Sequence, residues 1–331
     1  MVSRAPAGRP QLTMRPAGAV ATRLRASVCI PSRNRADLLE QTLQSLDCQS
    51  VARDQLEVIV GVDGSTDHTI DMLRRLSTTY PLKWTRLEGR GSGAARNAAA
   101  RRAGHEVLIF LDDDQIASPG LVAAHLDAHG RGDLVIVQGD YPMAAGREQS
   151  GASLIFERSR SRTIGLLTPS APVPYHLWGA NFSVRRETWA RVGGFDEDLP
   201  RSQDLEFGLR VADLGVPLVV ERRALSHHLH YVTATAFRRQ CLNEGRCVVR
   251  ISRKRGVPVE LLLQGRLDRP IDRLLKAFWV RHPRWADAGG RMLGGLQRAA
   301  DLLGVKPAQL LSSRALRRFH ELGGIAIESG I

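Results

Sequence analysis

The sequence has no apolar run long enough to cross a bilayer. Its longest aliphatic runs, such as Val107 to Leu111, are far shorter than the ~20 residues that a spanning helix needs. It also has few cysteines, and none of the four forms a C-x-x-C pair of the kind that binds zinc or exchanges disulfides. The sequence therefore favours a protein with reduced thiols in the cytoplasm.

Lysine is scarce as well: only four of the 47 basic residues are lysines, and the rest are arginines. Residues 1 to 25 hold five basic and no acidic residues, residues 26 to 232 hold 23 against 26, and residues 233 to 331 hold 19 against 8. A nucleic-acid enzyme would carry its excess charge around its reaction site, so no nucleic-acid partner is expected. The basic ends either contact an anionic membrane surface peripherally or reflect a coding bias towards arginine.

The amino-terminal 25 residues lack the apolar stretch of a secretory signal. They are interpreted as a disordered basic tail, and an organelle-targeting peptide is the less favoured alternative.

From residue 26, short apolar runs alternate with helical periodicity, which predicts βα units and a mostly parallel sheet flanked by helices. The expected strands are Ser27 to Ile30, Leu56 to Val62, Leu82 to Leu87, Glu106 to Leu111 and Leu134 to Val137. Residues 233 to 331 are expected to form a basic helical extension.

Acidic residues follow two of these strands, at the sheet edge where open α/β proteins place their ligands. Phe110-Leu111 leads directly into Asp112-Asp113-Asp114. Adjacent carboxylates repel one another, and a hard divalent cation such as Mg²⁺ or Mn²⁺ would compensate them while leaving positions free for substrate phosphates. A solvated acidic turn that caps the next helix is the structural alternative.

Two further segments suggest a nucleotide site. Asp63-Gly64-Ser65 permits a tight turn in which Ser65 caps the following helix, or in which Asp63 binds a nucleobase or ribose. The small residues from Gly91 to Ala95, followed by Arg96, open a helix whose amino terminus could bind phosphate, although tight helix packing explains them equally well.

The order of these segments resembles the family 2 glycosyltransferases of the GT-A fold, over roughly residues 26 to 232. The similar segments are Val28 to Arg35, Val62 to Ser65, Ala95 to Asn97, Phe110 to Asp114, Gly179 to Asp196, and Ser202 to Arg210 with a histidine that fits His227 or His228. The resemblance implies a nucleotide-sugar-binding half over residues 26 to 140 and an acceptor-side half over residues 141 to 232.

The resemblance also implies roles for individual residues. Asp204 is expected to be the catalytic base, kept ionised by the first turn of a helix that Ser202 caps. The nucleotide-sugar residues are expected to be Pro31, Arg33, Arg35, Asp63, Arg96, Asp112 and Asp113. The acceptor side is expected to include Trp178, Gly179, Asn181, Glu206 and Arg210. The metal ligands are expected to be Asp114, Asp112 and His228.

The sequence departs from the family pattern at Val62, Arg33 and Gln203, where the family has an acid, an aromatic residue and a glutamate. The Gln-x-x-Arg-Trp motif of processive synthases is absent, which favours a single-addition enzyme. The working hypothesis is an inverting transfer to a hydroxyl acceptor, with a UDP-sugar donor favoured because Asp63 suits the N3–H of uracil. Two alternatives remain open at this point: a nucleotidyltransferase of related architecture, and a catalytically silent module that binds nucleotide sugars.

Overall fold

The computed structural model describes residues 23–131, 134–145, 150–166, 177–229, 232–263 and 269–330. The predicted tail, apart from its last three residues, and the Pro-rich stretch between 169 and 174 lie outside the described residues. The strands are β1 (Ala26–Ser32), β2 (Leu56–Asp63), β3 (Leu82–Leu87), β4 (Val107–Leu111), β5 (Gln115–Ala117), β6 (Ile136–Asp140), β7 (Asn181–Arg185) and β8 (Leu218–His228). Five of them coincide with the predicted strands to within three residues at each end.

Helices cover both faces of the sheet in the first part of the chain and make up the second. They are α1 (Ala36–Leu46), α2 (Thr69–Arg75), α3 (Ser92–Arg101), α4 (Leu121–Arg131), α5 (Gly151–Leu166), α6 (Arg186–Val192), α7 (Gln203–Asp213), α8 (Ala234–Arg255), α9 (Val259–Leu262), α10 (Pro270–Arg281), α11 (Pro283–Leu303) and α12 (Lys306–Ser329). A short 3₁₀ turn, Arg53–Gln55, precedes β2. None of the helices in the described ranges is long and apolar enough to span a membrane.

The eight strands form one sheet in the order β3-β2-β1-β4-β7-β6-β8-β5. The first four are parallel, as the βα pattern predicts. Strand β7 then runs antiparallel to both β4 and β6, and β5 pairs antiparallel with β8. The sheet is therefore mixed. The alternation of strand and helix along the sequence, which predicts parallel neighbours, does not continue to β7, and β7 pairs antiparallel with both of its neighbours.

Alternate residues of the central strands point to opposite faces and build two apolar clusters. Val28 and Ile30 pack towards α1, α2 and α4, whereas Cys29 packs towards α3 and α7. The pairing of β1 with β2 and β4 leaves all seven of its residues buried. This two-sided burial explains why β1 contains no charged residue, and why the buried Ser27 hydroxyl donates to Glu57 at 2.6 Å.

Two predicted helix caps are wrong. Ser202 precedes α7 with a left-handed backbone (φ 60°), and its side chain makes no capping hydrogen bond. Ser65 does not cap α2, which begins only at Thr69; its hydroxyl instead accepts a hydrogen bond from the Asn34 amide at 3.0 Å. The carboxylate of Asp67 accepts the hydrogen bond from the Thr69 amide in its place.

The carboxyl-terminal helices pack closely against one another and against the sheet domain. Helix α12 crosses α8 where a β-carbon on Gly324 would lie 2.1 Å from the carbonyl oxygen of Leu242, so the backbones touch. Leu199 and Leu209, from beside and within α7, share an apolar cluster with Cys247 and other residues of α8. The extension is helical, as predicted, and it contributes to a core that it shares with α7.

Candidate active site

Three adjacent carboxylates follow β4, and each has a positively charged or titratable partner within the protein. Asp112 Oδ1 accepts from Arg96 Nη2 at 2.6 Å, and Arg35 Nη1 lies 3.0 Å from both Asp113 Oδ1 and Asp114 Oδ2. The second oxygen of Asp114 lies 3.2 Å from His228 Nε2. The protein's own arginines therefore offset much of the repulsion that the sequence led us to assign to a cation.

Burial sets the electrostatics of this cluster. Asp113 and Asp114 are 5% and 2% exposed. Burial and the neighbouring Asp114 carboxylate raise the pKa of Asp113 to about 7. Burial opposes the charged form of His228, but the Asp114 carboxylate outweighs it and raises the pKa of His228 above its ordinary value.

The donor set around Asp114 fits a divalent ion of the Mg²⁺ or Mn²⁺ type. Within the described ranges, no group of three or more His, Cys, Asp or Glu side chains is arranged to enclose a metal ion. Mg²⁺, however, is usually held by only one or two carboxylates and completes its shell with water and phosphate oxygens. Asp114 and His228, with Asp112 two residues earlier, supply a partial set of that kind, and Mn²⁺ also accepts imidazole.

Asp63 is the last residue of β2 and is 3% exposed, so it lies at a buried strand end and not in an open loop. Its two carboxylate oxygens accept hydrogen bonds from the backbone N–H groups of Arg90 and Gly91, at 2.6 and 2.8 Å. Gly64 follows with φ 67°, a conformation that favours glycine. Asp63 thus holds the β3–α3 loop against the end of β2.

The loop between β1 and α1 closes the same side of the site. Asn34 Oδ1 accepts from the Thr66 amide at 2.7 Å, which joins this loop to the turn after β2. Arg33 is exposed and extends over Gly89, where an added β-carbon would lie 3.7 Å from its Nη1. Pro31, in contrast, is buried within β1, so the structure does not present its ring to a ligand.

Helix α3 carries Arg96, an expected nucleotide-sugar residue, and its neighbour Asn97. The Arg96 guanidinium is 8% exposed and lies 5.8 Å from the centroid of the Phe195 ring. Asn97 exchanges hydrogen bonds with the backbone of Phe195, donating through Nδ2 and accepting through Oδ1, both at 2.8 Å. These contacts fix α3 to the Gly-Gly-Phe-Asp segment and aim Arg96 at Asp112.

Asp204 lies in the first turn of α7, and its Oδ2 accepts from the backbone N–H of Gly179 at 2.8 Å. The next residue, Ala180, accepts through its carbonyl oxygen from the Asp112 amide at 3.1 Å. Two consecutive residues therefore connect the expected base to the expected donor-side acid. A β-carbon on Gly179 would lie 3.2 Å from Asp204 Oδ2, so a glycine is needed for this approach.

Four rings line the space beside these carboxylates. Trp178 lies 5.4 Å from Phe156 and 6.3 Å from Tyr141, and Phe156 lies 5.2 Å from His228, all between ring centroids. Burial raises the pKa of Tyr141, and the charges of Asp204 and Asp112 act in the same direction, which places the phenol near both acids. The sequence predicted Trp178 and His228; Tyr141 and Phe156 were missed, since no motif marks the ends of β6 and α5.

Three predicted acceptor-side residues have internal partners instead. Asn181 is fully buried, and its Nδ2 donates to the carbonyl oxygens of Ala224 at 2.9 Å and Asp140 at 3.1 Å. Glu206 is 3% exposed and forms a two-point ion pair with Arg210, at 2.6 and 2.7 Å. These side chains hold strands and helices together, and their expected role on the acceptor side stays a prediction.

Gln203, where the family pattern has glutamate, also has a structural contact. Its Nε2 donates to Ser92 Oγ at 3.1 Å and to the carbonyl oxygen of Leu199 at 2.7 Å. This amide therefore joins the amino termini of α3 and α7, which carry Arg96 and Asp204. Of the two histidine candidates, His228 contacts the acids and His227 pairs with Ile116 in the β5–β8 ladder.

A mixed sheet with acids at the carboxyl ends of its parallel strands and a carboxylate on the opposing helix defines a protein of the GT-A type. Residues 27–190 match the "Glycosyl transferase family 2" family, and this part of the chain belongs to it. The family and the fold that the motifs predict are thereby confirmed.

Curated relatives are also glycosyltransferases. The chain is 31% identical over 226 residues to "Validoxylamine A glucosyltransferase" of Streptomyces hygroscopicus subsp. jinggangensis (strain 5008), covering 60% of this chain and 54% of that one. It is 40% identical over 117 residues to "Uncharacterized glycosyltransferase YfnE" of Bacillus subtilis (strain 168), covering 35% and 30%. The chain thus spans about half or less of the length of these two relatives.

Solved structures share the fold at low identity. "Mannosyltransferase PcManGT from Pyrobaculum calidifontis in complex with GDP-Man and Mn2+" superposes with a TM-score of 0.58 at 21% identity, covering 93% of this chain and 87% of that one. S. aureus TarS 1–349 in complex with UDP-GlcNAc gives 0.52 at 18% identity, covering 93% and 92%. Each of these two structures covers 93% of this chain, so the similarity of fold extends well beyond residues 27–190.

Proposed function

We propose that the chain transfers a sugar from a nucleotide diphosphate, with a UDP-sugar favoured, to a hydroxyl acceptor by a single inverting displacement. The observation that carries this proposal is the pair of hydrogen bonds at Gly179 and Ala180, which connects Asp204 to Asp112 through two consecutive residues. A base and a donor-side acid held at this fixed separation are what attack on an anomeric carbon requires.

The donor side consists of Asp63, Arg96 and the acids after β4. Because Asp63 organises the β3–α3 loop through Arg90 and Gly91, its contribution to nucleotide binding is the shape of that loop together with any direct contact to the base. Arg96 and Arg35 each lie against a carboxylate that faces the expected diphosphate position. Both can reorient from carboxylate to phosphate oxygens, which present the same geometry to a guanidinium.

Asp114, Asp112 and His228 would hold a divalent ion, Mg²⁺ or Mn²⁺. When bound, such an ion neutralises charge on the diphosphate leaving group. Support comes from the 3.2 Å separation of Asp114 Oδ1 and His228 Nε2, and from the Mn²⁺ in the complex of the related mannosyltransferase.

The acceptor side consists of Asp204, Gly179 and the partly exposed rings of Trp178 and Phe156, against which the buried ring of Tyr141 packs. The Gly179 amide holds Asp204 Oδ2, and among the described residues Oδ1 accepts only from the amide of the adjacent Leu205, at 2.9 Å. The carboxylate is thus oriented to accept a proton from the attacking hydroxyl. Aromatic faces beside it suit the apolar face of a sugar ring.

The test replaces Asp204 with asparagine, which keeps the shape of the side chain and loses its basicity. We expect transfer to fall by about 100-fold or more, because a general base contributes about that much or more, while UDP affinity stays nearly constant. Initial rates and calorimetric titration with UDP measure the two quantities.

Asp198→Asn is the matched control, because this side chain is 86% exposed on the loop before α7 and should leave the rate unchanged. Near wild-type transfer by Asp204→Asn would remove Asp204 as the base. Loss of UDP binding in the same variant would show that the substitution had disturbed the fold of the site.

A further inference from the structure

Exposed apolar side chains are concentrated in the carboxyl-terminal helices. In the part of the chain that the structure describes, 14 large hydrophobic residues are exposed, and 12 of them lie between Leu261 and Ile327. The sheet domain contributes only Leu134 and Leu214. On a soluble protein, exposed apolar residues usually occur singly. Their concentration in one region of this chain therefore indicates a binding surface.

Helix α11 gathers four of these residues on one side. Trp285, Met292, Leu296 and Leu303 are 73%, 64%, 55% and 75% exposed. At about 100° per residue they project within roughly 20° of a common direction, along about 27 Å of the helix. We call these four residues the α11 stripe.

Another side of α11, about 60° to 180° from the stripe by the same spacing, is occupied by the fold. Ala286, Gly290, Gly294, Gln297 and Ala300 are buried. A β-carbon on Gly290 would lie 2.5 Å from His320 Nε2 of α12, so this side of α11 packs closely on its neighbour. The α11 stripe therefore faces away from the rest of the chain.

A row of arginines lies on a third side of α11, separate from the stripe and from the buried residues. Arg284, Arg291 and Arg298 recur every seven residues and are exposed. The same helical spacing places them about 100° to 140° from the stripe, on the side away from the buried residues. Only Arg291 of the three has an acidic partner among the described residues, Asp287.

We propose that the α11 stripe and the arginine row bind the surface of an anionic lipid bilayer, with the helix lying in the interface. A helix with aromatic and aliphatic residues on one side and arginines beside them is typical of interfacial membrane binding. Tryptophan favours the headgroup level, and anionic headgroups neutralise the arginines.

A second copy of the chain is the other occupant to consider. Residues 233 to 331 carry 19 basic and 8 acidic residues, so two such surfaces facing each other would bring like charges together. An anionic bilayer removes this repulsion, and charge complementarity therefore favours lipid over self-association.

The experiment measures co-sedimentation of the full chain with vesicles of phosphatidylglycerol and phosphatidylcholine, and with phosphatidylcholine alone. We expect binding to the anionic vesicles that weakens as salt increases. Trp285→Ser with Leu296→Ser, and separately Arg284→Glu with Arg298→Glu, should each weaken binding by about tenfold or more.

Matched controls come from the sheet domain. Leu214→Ser removes an exposed leucine and Arg102→Glu reverses an exposed arginine, and both should bind vesicles as the wild type does. Melting temperatures establish that every variant folds. Since all variants keep residues 1 to 22, a difference between them cannot arise from the basic amino-terminal segment.

The proposal would be overturned if the Trp285/Leu296 variant and the Arg284/Arg298 variant both bound vesicles as the wild type does. A second result would also overturn it: a wild type that is dimeric by light scattering and does not bind vesicles, together with a Trp285/Leu296 variant that is monomeric. That result would identify a second copy of the chain as the occupant. Vesicle binding is measured without a sugar donor, so its outcome is independent of sugar transfer.

Discussion

The sheet domain and the carboxyl-terminal helices use the same residue types in opposite ways. Between residues 26 and 232, basic and acidic residues nearly balance, and the site arginines Arg35 and Arg96 lie against carboxylates. Beyond residue 232 arginine is in large excess, and 12 large apolar residues face outwards. The first region directs its charge and apolar surface inwards to build a site, whereas the second keeps both available for an external surface.

The largest effect should come from the acid cluster, which tests whether the sheet domain contains all the chemistry. Asp114→Asn should lower turnover by about 100-fold or more, because the leaving diphosphate loses several kcal/mol of charge stabilisation. In calorimetry, Mn²⁺ should strengthen UDP binding to the wild type and not to the variant.

Asp127→Asn is the control for that change, because this carboxylate is 61% exposed on α4. Full wild-type activity in the presence of excess chelator would contradict the metal assignment. It would leave Arg35 and Arg96 as the groups that stabilise the diphosphate.

A smaller effect, on the free energy of unfolding, should show whether the sheet domain and the carboxyl-terminal helices unfold as one cooperative unit. Gly324→Ala places a β-carbon 2.1 Å from the Leu242 carbonyl oxygen and should lower the free energy of unfolding by about 1–3 kcal/mol. Gly295→Ala, on α11 with open space around it, should raise it by up to about 1 kcal/mol.

Urea unfolding followed by tryptophan fluorescence and by UDP binding measures both variants. Because α7 and α8 share an apolar cluster, the two signals should decline together in Gly324→Ala. Two separate transitions, with UDP binding retained after the helices unfold, would show that the extension is an independent unit.

The most gradual effect is a dependence of stability on pH that both regions share. Burial lowers the pKa of His125 and of His320 to about 4, and that of His129 to about 3. Unfolded histidine has a pKa near ~6.5, so the unfolded state takes up protons first as the pH falls. Stability should therefore decrease between pH ~6.5 and ~4, by on the order of 1 kcal/mol per pH unit for each histidine.

The hydrogen bonds agree with neutral rings. Asn181 donates through its amide nitrogen, so His125 Nε2 donates to Asn181 Oδ1 at 2.9 Å, and His125 Nδ1 accepts from Ser183 at 2.8 Å. His320→Gln should flatten the pH dependence measured by urea unfolding, and exposed His68→Gln should not. An unchanged slope in His320→Gln would place the acid sensitivity elsewhere.

Local sequence was enough for the first half of the sheet, because short, largely apolar runs alternate there with helical periodicity, and β2 and β4 lead directly into acids. The acids after β4 were equally visible as a run of three. Predicting how they are compensated required tertiary information, since Arg35 and Arg96 reach them from α1 and α3.

The later strands were harder to predict because their pattern is set by partners distant in sequence. Asn181 reads as a polar site residue, yet its amide joins β7 to the backbones of β6 and β8. Glu206 and Arg210 are four residues apart on α7, and only the burial of that helix face shows that they pair with each other. The division at residue 232 and the cytoplasmic location stay predictions.

The Gly179–Ala180 dipeptide has a consequence for how acceptor preference can vary. Its two hydrogen bonds connect the carboxylate of Asp204, the proposed base, to the backbone of Asp112, the proposed donor-side acid, and neither bond involves an acceptor. Changes in the rings around Trp178 can then alter which hydroxyl compound is accommodated without altering that connection. A substitution at Gly179 would instead displace Asp204 and would impair every acceptor alike, so variation in specificity is expected in the surrounding aromatic residues and not in this dipeptide.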